Sequence, residues 1–336
     1  MWNILKDHKK ARTGLGCQIS LNNFTVSITR GNHFRNKQMK KELHKAYFAL
    51  GLVSFFWGTT YIASRIGAQH MPGLFVSGIR QFLSGFILVA YFLIRGHQLP
   101  GWKAMKRISI QSIFLLCIAN GLLTWSVEYI SGGLAAIIAA LVPLFIVLFT
   151  VWLSKCTKIT RLMIVGLVVG FAGVLVIFYD YLAQLQNKSF VFGVILALLS
   201  TLSWSFGTVY TSKQKPPTNI LFNVGLQMLI AGILVLIVCG ITGKYINLAD
   251  VNQASWLALS YLIVFGSLVA YSAYVFVIGK LPPTQVSVYA YINPIVAVVL
   301  GWLLLSEKMN VNMIIGTLIT LGGVYVVNRE FKKVRQ

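Results

Sequence analysis

The sequence predicts an all-α integral membrane protein whose ten transmembrane helices form two inverted five-helix repeats. Three observations predict it. The composition is 57% apolar and only 11% charged, more apolar than a soluble core of this size needs. Several apolar runs approach the roughly 20 residues that span a bilayer core. Finally, one stretch occurs twice, at 132–177 and 283–327. Each copy is an apolar run broken by one proline, a short loop, then a second apolar run punctuated by glycine. Pro143 answers to Pro294, and after one gap Trp152, Lys158, Gly166, Gly173 and Val174 answer to Trp302, Lys308, Gly316, Gly323 and Val324. Paired prolines and glycines carry this repeat better than matched Val and Leu do, because apolar sequence mimics itself easily.

The elements follow in order. Residues 1–45 are polar and basic, with Asp7 and Glu42 the only acids, and are expected to be a disordered tail. They contain no long apolar run, so a secretory signal is excluded, while an acid-poor organellar transit peptide stays open. Met39 opens MKKELHKAYFALG, which by itself reads as the start of a polytopic membrane protein. Helices are expected at 47–66, 74–94, 110–128, 132–153 and 162–181 in a first repeat, 46–182. The second repeat, 188–328, holds those at 190–212, 219–241, 256–278, 284–305 and 311–328, and a basic tail, 329–336, ends the chain. The loops between are short and marked by Pro, Gly, Asn and charge, such as HMPG at 70–73 and KLPP at 280–283.

The net charge of +22 lies almost wholly in tails and loops, so it reads as topology information and not as a nucleic-acid surface. With the N-terminus inside, the inner loops hold Arg95, Lys103, Lys106, Arg107, Lys155, Lys158, Arg161, Lys213, Lys215 and Lys280. The outer loops hold little beyond Lys188, Lys244 and Lys308, so both termini are expected on the cytoplasmic side of a cell membrane. An odd number of spans per half then turns the second half upside down relative to the first, and the substrate site is expected near the midplane between the halves.

Polar groups at membrane depth are costly and tend to face the protein interior or a wet cavity. The ionisable ones are Arg80 and, at the end of the third helix, Glu128. Arg80 either snorkels toward the nearer end of its helix or pairs with Glu128 or with a substrate carboxylate or phosphate, for which its planar fork is suited. Glu128 is either an exposed loop carboxylate or a proton or cation coupling group. Trp57 in SFFWGTTY and Trp204 in STLSWSFGTVY occupy related places in the first helix of each half. Thr60, Tyr61, Asn120, Trp125, Asn223, Gln227, Tyr271, Tyr274, Tyr289 and Asn293 add hydrogen-bonding groups. One by one these are packing or interface-belt residues; together they suit a small polar substrate in a mostly apolar cavity. Pro143 and Pro294 fall mid-helix, where a kink frees a carbonyl.

The five histidines, His8, His33, His44, His70 and His97, lie in tails or loops. The spans therefore lack the His, Asp or Glu clusters that activate a nucleophile or hold a metal, and neither an enzyme, a metal nor a cofactor is expected. The cysteines, Cys17, Cys117, Cys156 and Cys239, show no paired spacing. No GxxxxGK loop occurs, so transport would draw on a gradient or on exchange.

These residues resemble the drug/metabolite transporter superfamily and, within it, the EamA family. The resemblance is carried by FFWGTTYIASR at 55–65, Arg80 in GIRQFLSGFIL, EYISGGLAAIIAALVPLF at 128–145 and YAYINPIVAVVLGWLLLSEKMNVNMIIGTLITLGGVYVV at 289–327. Two EamA-type domains would cover nearly all of 47–328. The family's usual Glu after the proline-bearing helix is present as Glu307, whereas the first half has Lys155, Cys156 and Thr157 there. The resemblance implies a cavity lined by the first four helices of each half, peripheral fifth and tenth helices, and alternating access, often exporting amino acids or other small metabolites. The expected function is secondary transport of a small polar metabolite, with the bilayer and that metabolite as partners and a homodimer as one admissible assembly. A nucleotide-sugar or sugar-phosphate exchanger is the alternative within transport, and a membrane scaffold or enzyme the alternative outside it.

Overall fold

In lipid a chain must satisfy its backbone hydrogen bonds within the segment, and every long apolar run here has done so as helix. The computed structural model describes residues 32–153, 160–214, 219–287, 289–307 and 310–335. Most of the basic tail, together with Lys155, Cys156, Thr157, Lys158 and Lys308, lies outside the described residues. Among the described residues no strand occurs. The helices are α1 (Asn32–Ala68), α2 (Gly73–Ile94), α3 (Trp102–Ser126), α4 (Gly132–Leu153), α5 (Arg161–Tyr179), α6 (Lys188–Ser212), α7 (Ile220–Thr242), α8 (Gln253–Ile278), α9 (Tyr289–Leu305) and α10 (Val311–Arg335). Nine helices among the described residues are long and apolar enough to cross a membrane. The remaining one, α9, has 17 residues, because the chain before it is spent on a separate turn of helix, Pro283–Val286.

Boundaries follow local chemistry. The side chains of Ser131, Thr160, Asn187, Asn219 and Asn252 accept hydrogen bonds from the backbone N–H groups of the first turns of α4, α5, α6, α7 and α8, which those turns cannot satisfy internally. Gly243 ends α7 at φ 66°, a left-handed cap that favours glycine. At the other extreme α1 starts at Asn32, well before the expected residue 47, so part of the expected tail is helical.

Two irregularities recur at matched places. α3 contains a π-helical segment, Ile113–Asn120, and α8 contains another, Leu262–Val269. Such wide turns inside α-helices are common at functional sites. In α4 the helix lapses at Ala140 and Leu141 and resumes at Val142, with Pro143 in the resumed first turn, where its missing N–H costs least. Pro294 sits inside α9.

Packing also falls into matched pairs. α2 runs along α7 and α5 along α10, while α1 packs on α8 and α9, and α6 on α3 and α4. Both intimate pairs depend on glycine at the crossing. A Cβ on Gly85 would lie 2.2 Å from the backbone N of Leu229, and one on Gly232 2.3 Å from that of Phe82. On the outside, α5 and α10 expose Leu162, Val168, Leu175, Leu318 and Tyr325, a surface suited to lipid tails.

Candidate functional site

A cavity of about 70 Å³ lies between α1, α2, α3, α4, α6, α8 and α9. Of the residues singled out in the sequence, Trp57, Thr60, Tyr61, Arg80, Asn120, Trp204, Tyr271, Tyr289 and Asn293 line it. Gln81, Ser200, Thr201, Gly266 and the alanines of α4, Ala136, Ala139 and Ala140, line it too and are not legible as site residues in the sequence. The small α4 residues leave room where a larger side chain would fill the space. α7 contributes no wall, in contrast to the four helices per half that the resemblance implies.

Two tryptophans set the cavity's aromatic end. Trp57 meets Trp204 edge to face, and both lie about 5 Å from the ring of Tyr274 (5.0 and 5.1 Å). Trp57 Nε1 donates to the carbonyl of Gly266 at 3.2 Å, and Trp204 Nε1 donates to the Tyr289 hydroxyl at 2.7 Å. Each indole therefore keeps a partner for its one donor while giving its face to the cluster. Thr60 Oγ1 donates to the Trp57 carbonyl at 2.7 Å.

Arg80 is 4% exposed, so it does not snorkel. Its Nε donates to Ser267 Oγ at 2.7 Å, which ties α2 to the π segment of α8. Its guanidinium passes over Gly266, where a Cβ would lie 2.7 Å from Nη2. The expected pairing with Glu128 does not form. Glu128 instead accepts the N–H of Gly73 at the start of α2, because a carboxylate is drawn to the unpaired donors of a helix N-terminus. Burial pushes its carboxyl above the ordinary 4.5, against the Gly73 hydrogen bond and the nearby Lys244, which pull it down. Beside Arg80, Asn120 Oδ1 accepts from Gln81 Nε2 at 3.1 Å and Ser77 Oγ at 3.0 Å. Oε1 of Gln81 is buried without a partner.

The other expected site residues stand apart from the cavity. Gln227 is a support: it accepts from the Tyr271 hydroxyl and donates from Nε2 to Gln111 at 2.8 Å. Tyr274 is wholly buried and its hydroxyl shares a hydrogen bond with Thr208. Trp125 carries Lys244 Nζ 5.0 Å above its ring and stacks edge-on with Phe192. Asn223 faces a second cavity, about 690 Å³, beside His97, Arg107 and Asn219. On the cavity wall itself, Asn293 fits its surroundings with its amide nitrogen donating to the carbonyls of Ser54 (2.9 Å) and Tyr289 (3.1 Å).

The start of α4 is capped from the other half of the chain by Glu307. Its two oxygens accept the N–H groups of Gly132 at 3.0 Å and Gly133 at 3.3 Å, and Ser131 Oγ accepts that of Leu134 at 3.1 Å. Three successive N–H groups of α4 are thereby satisfied, two of them by a residue from the far half of the chain. Nearby, Arg65 Nη1 donates to the carbonyl of Val127. Among the described residues no group of His, Cys, Asp and Glu could hold a metal ion.

The family model for the EamA-like transporter family matches residues 44–179 and 191–329. The chain is 34% identical over 269 residues to the uncharacterized inner membrane transporter YedA of Escherichia coli K12, covering 80% of this chain and 84% of that one. It is 27% identical over 296 residues to the uncharacterized transporter YvbV of Bacillus subtilis, covering 87% and 95%. A solved crystal structure 19% identical in sequence matches with a TM-score of 0.60 over 87% of this chain and 99% of its own, a likeness of fold alone. The chain therefore belongs to the EamA-like transporter family and is a multi-pass membrane protein.

Proposed function

We propose that this protein is a secondary active transporter of small polar metabolites, working by alternating access around the cavity between α1–α4, α6, α8 and α9. The observation that carries the reading is the meeting of Trp57 and Trp204, equivalent residues of two five-helix halves, at the wall of one partly polar cavity. The exchange of packing partners between α1 and α6, α3 and α8, and α4 and α9 supports an inverted repeat. So do the matched π segments. The two halves would rock against each other about the cavity, with the crossing of α2 and α7 as one hinge surface. The Lys and Arg distribution supports cytoplasmic termini, and the family likeness supports outward transport.

Reconstitution tests this directly. Proteoliposomes preloaded with a metabolite mixture should accumulate labelled members of that mixture by counterflow, and a thermal-shift screen should find ligands that raise the melting temperature. Vesicles that exchange nothing above empty controls would end the reading. Accessibility labelling that puts the two termini on opposite sides would end the topology.

A further inference from the structure

We propose that Arg80 is the receptor for a ligand carboxylate, so that the cavity takes small organic anions with a compact apolar body and turns away cations. The inference rests on the transporter reading and deepens it.

The starting point is a charge without a counter-charge. A guanidinium stays protonated under any ordinary condition, and an ion held away from water without a partner is unfavourable by several kcal/mol. Arg80 is inside the bundle, and among the described residues its hydrogen bond goes to a neutral hydroxyl, that of Ser267. The chain has only 7 acidic residues, so the candidates for a built-in partner can be taken one at a time. Asp7 lies outside the described residues. Glu42 pairs with Lys45 and Lys280, and Glu330 with Lys333. Glu128 accepts from Gly73, and Glu307 from Gly132 and Gly133. Asp180 accepts from Asn312, and Asp250 is exposed. None of the described six stands at Arg80.

The second observation is that this cation borders empty space. Arg80 lines the central cavity, and the absence of a side chain at Gly266 leaves room for Nη2, which a Cβ there would approach to 2.7 Å. A carboxylate entering there gains the fork of Nη1 and Nη2, a charge-assisted and planar fit. Trp57, Trp204 and Tyr289 line the same cavity and give it apolar surface for a compact body. Among the described residues the cavity walls include no carboxylate that could receive an ammonium group, so a cation there would meet Arg80's like charge. Phosphate esters would want more than one cationic side chain, and Arg80 is the one such residue among the described residues of the cavity wall.

The test is a charge series on a constant body, using the purified full chain in chloride-free buffer. Isobutyrate and phenylacetate are each compared with their amide and amine counterparts by thermal unfolding. At least one carboxylate should raise the melting temperature saturably by several degrees, with its amide at least tenfold weaker and its amine without effect. Arg80→Gln should lose the response. Ser267→Asp serves as the second variant, because it sets a carboxylate on the guanidinium and should cut carboxylate affinity at least tenfold while leaving the protein folded. Equal responses to acid and amide, no response to either acid, or undiminished affinity in Ser267→Asp would overturn the proposal. Saturable stabilisation by chloride that competes with the carboxylates would replace it with an inorganic-anion site. Counterflow separates this from the transporter reading: flux of neutral solutes without preference for acids keeps transport and ends the anion assignment, whereas absence of all flux ends transport itself.

Discussion

Trp57 of α1 and Trp204 of α6 stand with ring centroids 5.1 Å apart and ring planes at 83°, each holding its indole N–H on a different helix of the second half. Trp57 reaches Gly266 of α8, and Trp204 reaches Tyr289 at the start of α9. Rocking of one half against the other would change the Trp57–Trp204 and Trp57–Gly266 contacts, which join the two halves, while the Trp204–Tyr289 bond stays within the second half and fixes the ring that Trp57 meets. Trp204→Phe keeps an aromatic body but removes the donor to Tyr289. It should reduce counterflow at least tenfold and shift the melting temperature by only a few degrees, since one such hydrogen bond contributes about 1 kcal/mol. Trp57→Ala should abolish flux, and full activity in either variant would remove the pair from the working site.

The adjacent glycines of α10 give a matched stability experiment. A Cβ on Gly323 would lie 2.3 Å from the backbone N of Gly170 and 2.6 Å from the carbonyl oxygen of Gly166, both on α5. Gly322, one residue away, has nothing within 4 Å. Gly323→Ala must push two helix backbones apart and should destabilise by roughly 1–3 kcal/mol, the usual range for overpacking. Gly322→Ala should be neutral or stabilising by up to about 1 kcal/mol, since alanine favours helix over glycine. Thermal unfolding of the two variants side by side checks it, and equal losses would mean that α5 and α10 do not pack through this face.

Why the sequence showed some of this and hid the rest is physical. The all-helical class and the long apolar spans were legible because a membrane span needs length and apolarity, and both are local properties of the chain. The duplicate prolines and tryptophans were legible because rare residue types at equal offsets stand out. The role of Gln227 was not, since a buried amide looks the same in sequence whether it faces a ligand or props Tyr271. Gln81, Ser200 and the α4 alanines were missed for a related reason: a cavity is made as much by what is small as by what is polar. Nor could the sequence say that Arg80 turns to Ser267, a residue 187 positions away, because that contact depends on the crossing of α2 with the π segment of α8.

Glu307 offers a prediction about assembly of the two halves. Its carboxylate holds the first two N–H groups of α4, and a Cβ on Gly301 would lie 2.5 Å from its Oε2, so the carboxylate is seated against the backbone of α9. Losing a helix cap typically costs 0.5–2 kcal/mol. Glu307→Ala should therefore lower the melting temperature by a few degrees, and Glu307→Gln, which keeps an acceptor without the charge, should fall between it and the native protein. An alanine variant as stable as the native chain would show that Ser131 alone suffices to cap α4.

Glu128 predicts a pH dependence whose sign follows from its surroundings. Burial raises its carboxyl above the ordinary 4.5, outweighing Gly73, Lys244 and Tyr129, so the native state holds this proton more tightly than the unfolded chain does. Where the native state binds more protons, stability falls as pH rises. The contribution of Glu128 is thus complete below pH 4.5 and is lost as pH climbs through its raised native value. Glu128→Gln cannot titrate, and the difference in melting temperature between the two proteins should move in the variant's favour across that window and level off above it. Because Glu128 stands at the Gly73 end of α2 and not on the cavity wall, the variant should also bind ligands of the central cavity as the native protein does. Parallel melting curves in pH for the two proteins would show that Glu128 titrates no differently in the folded and unfolded chain.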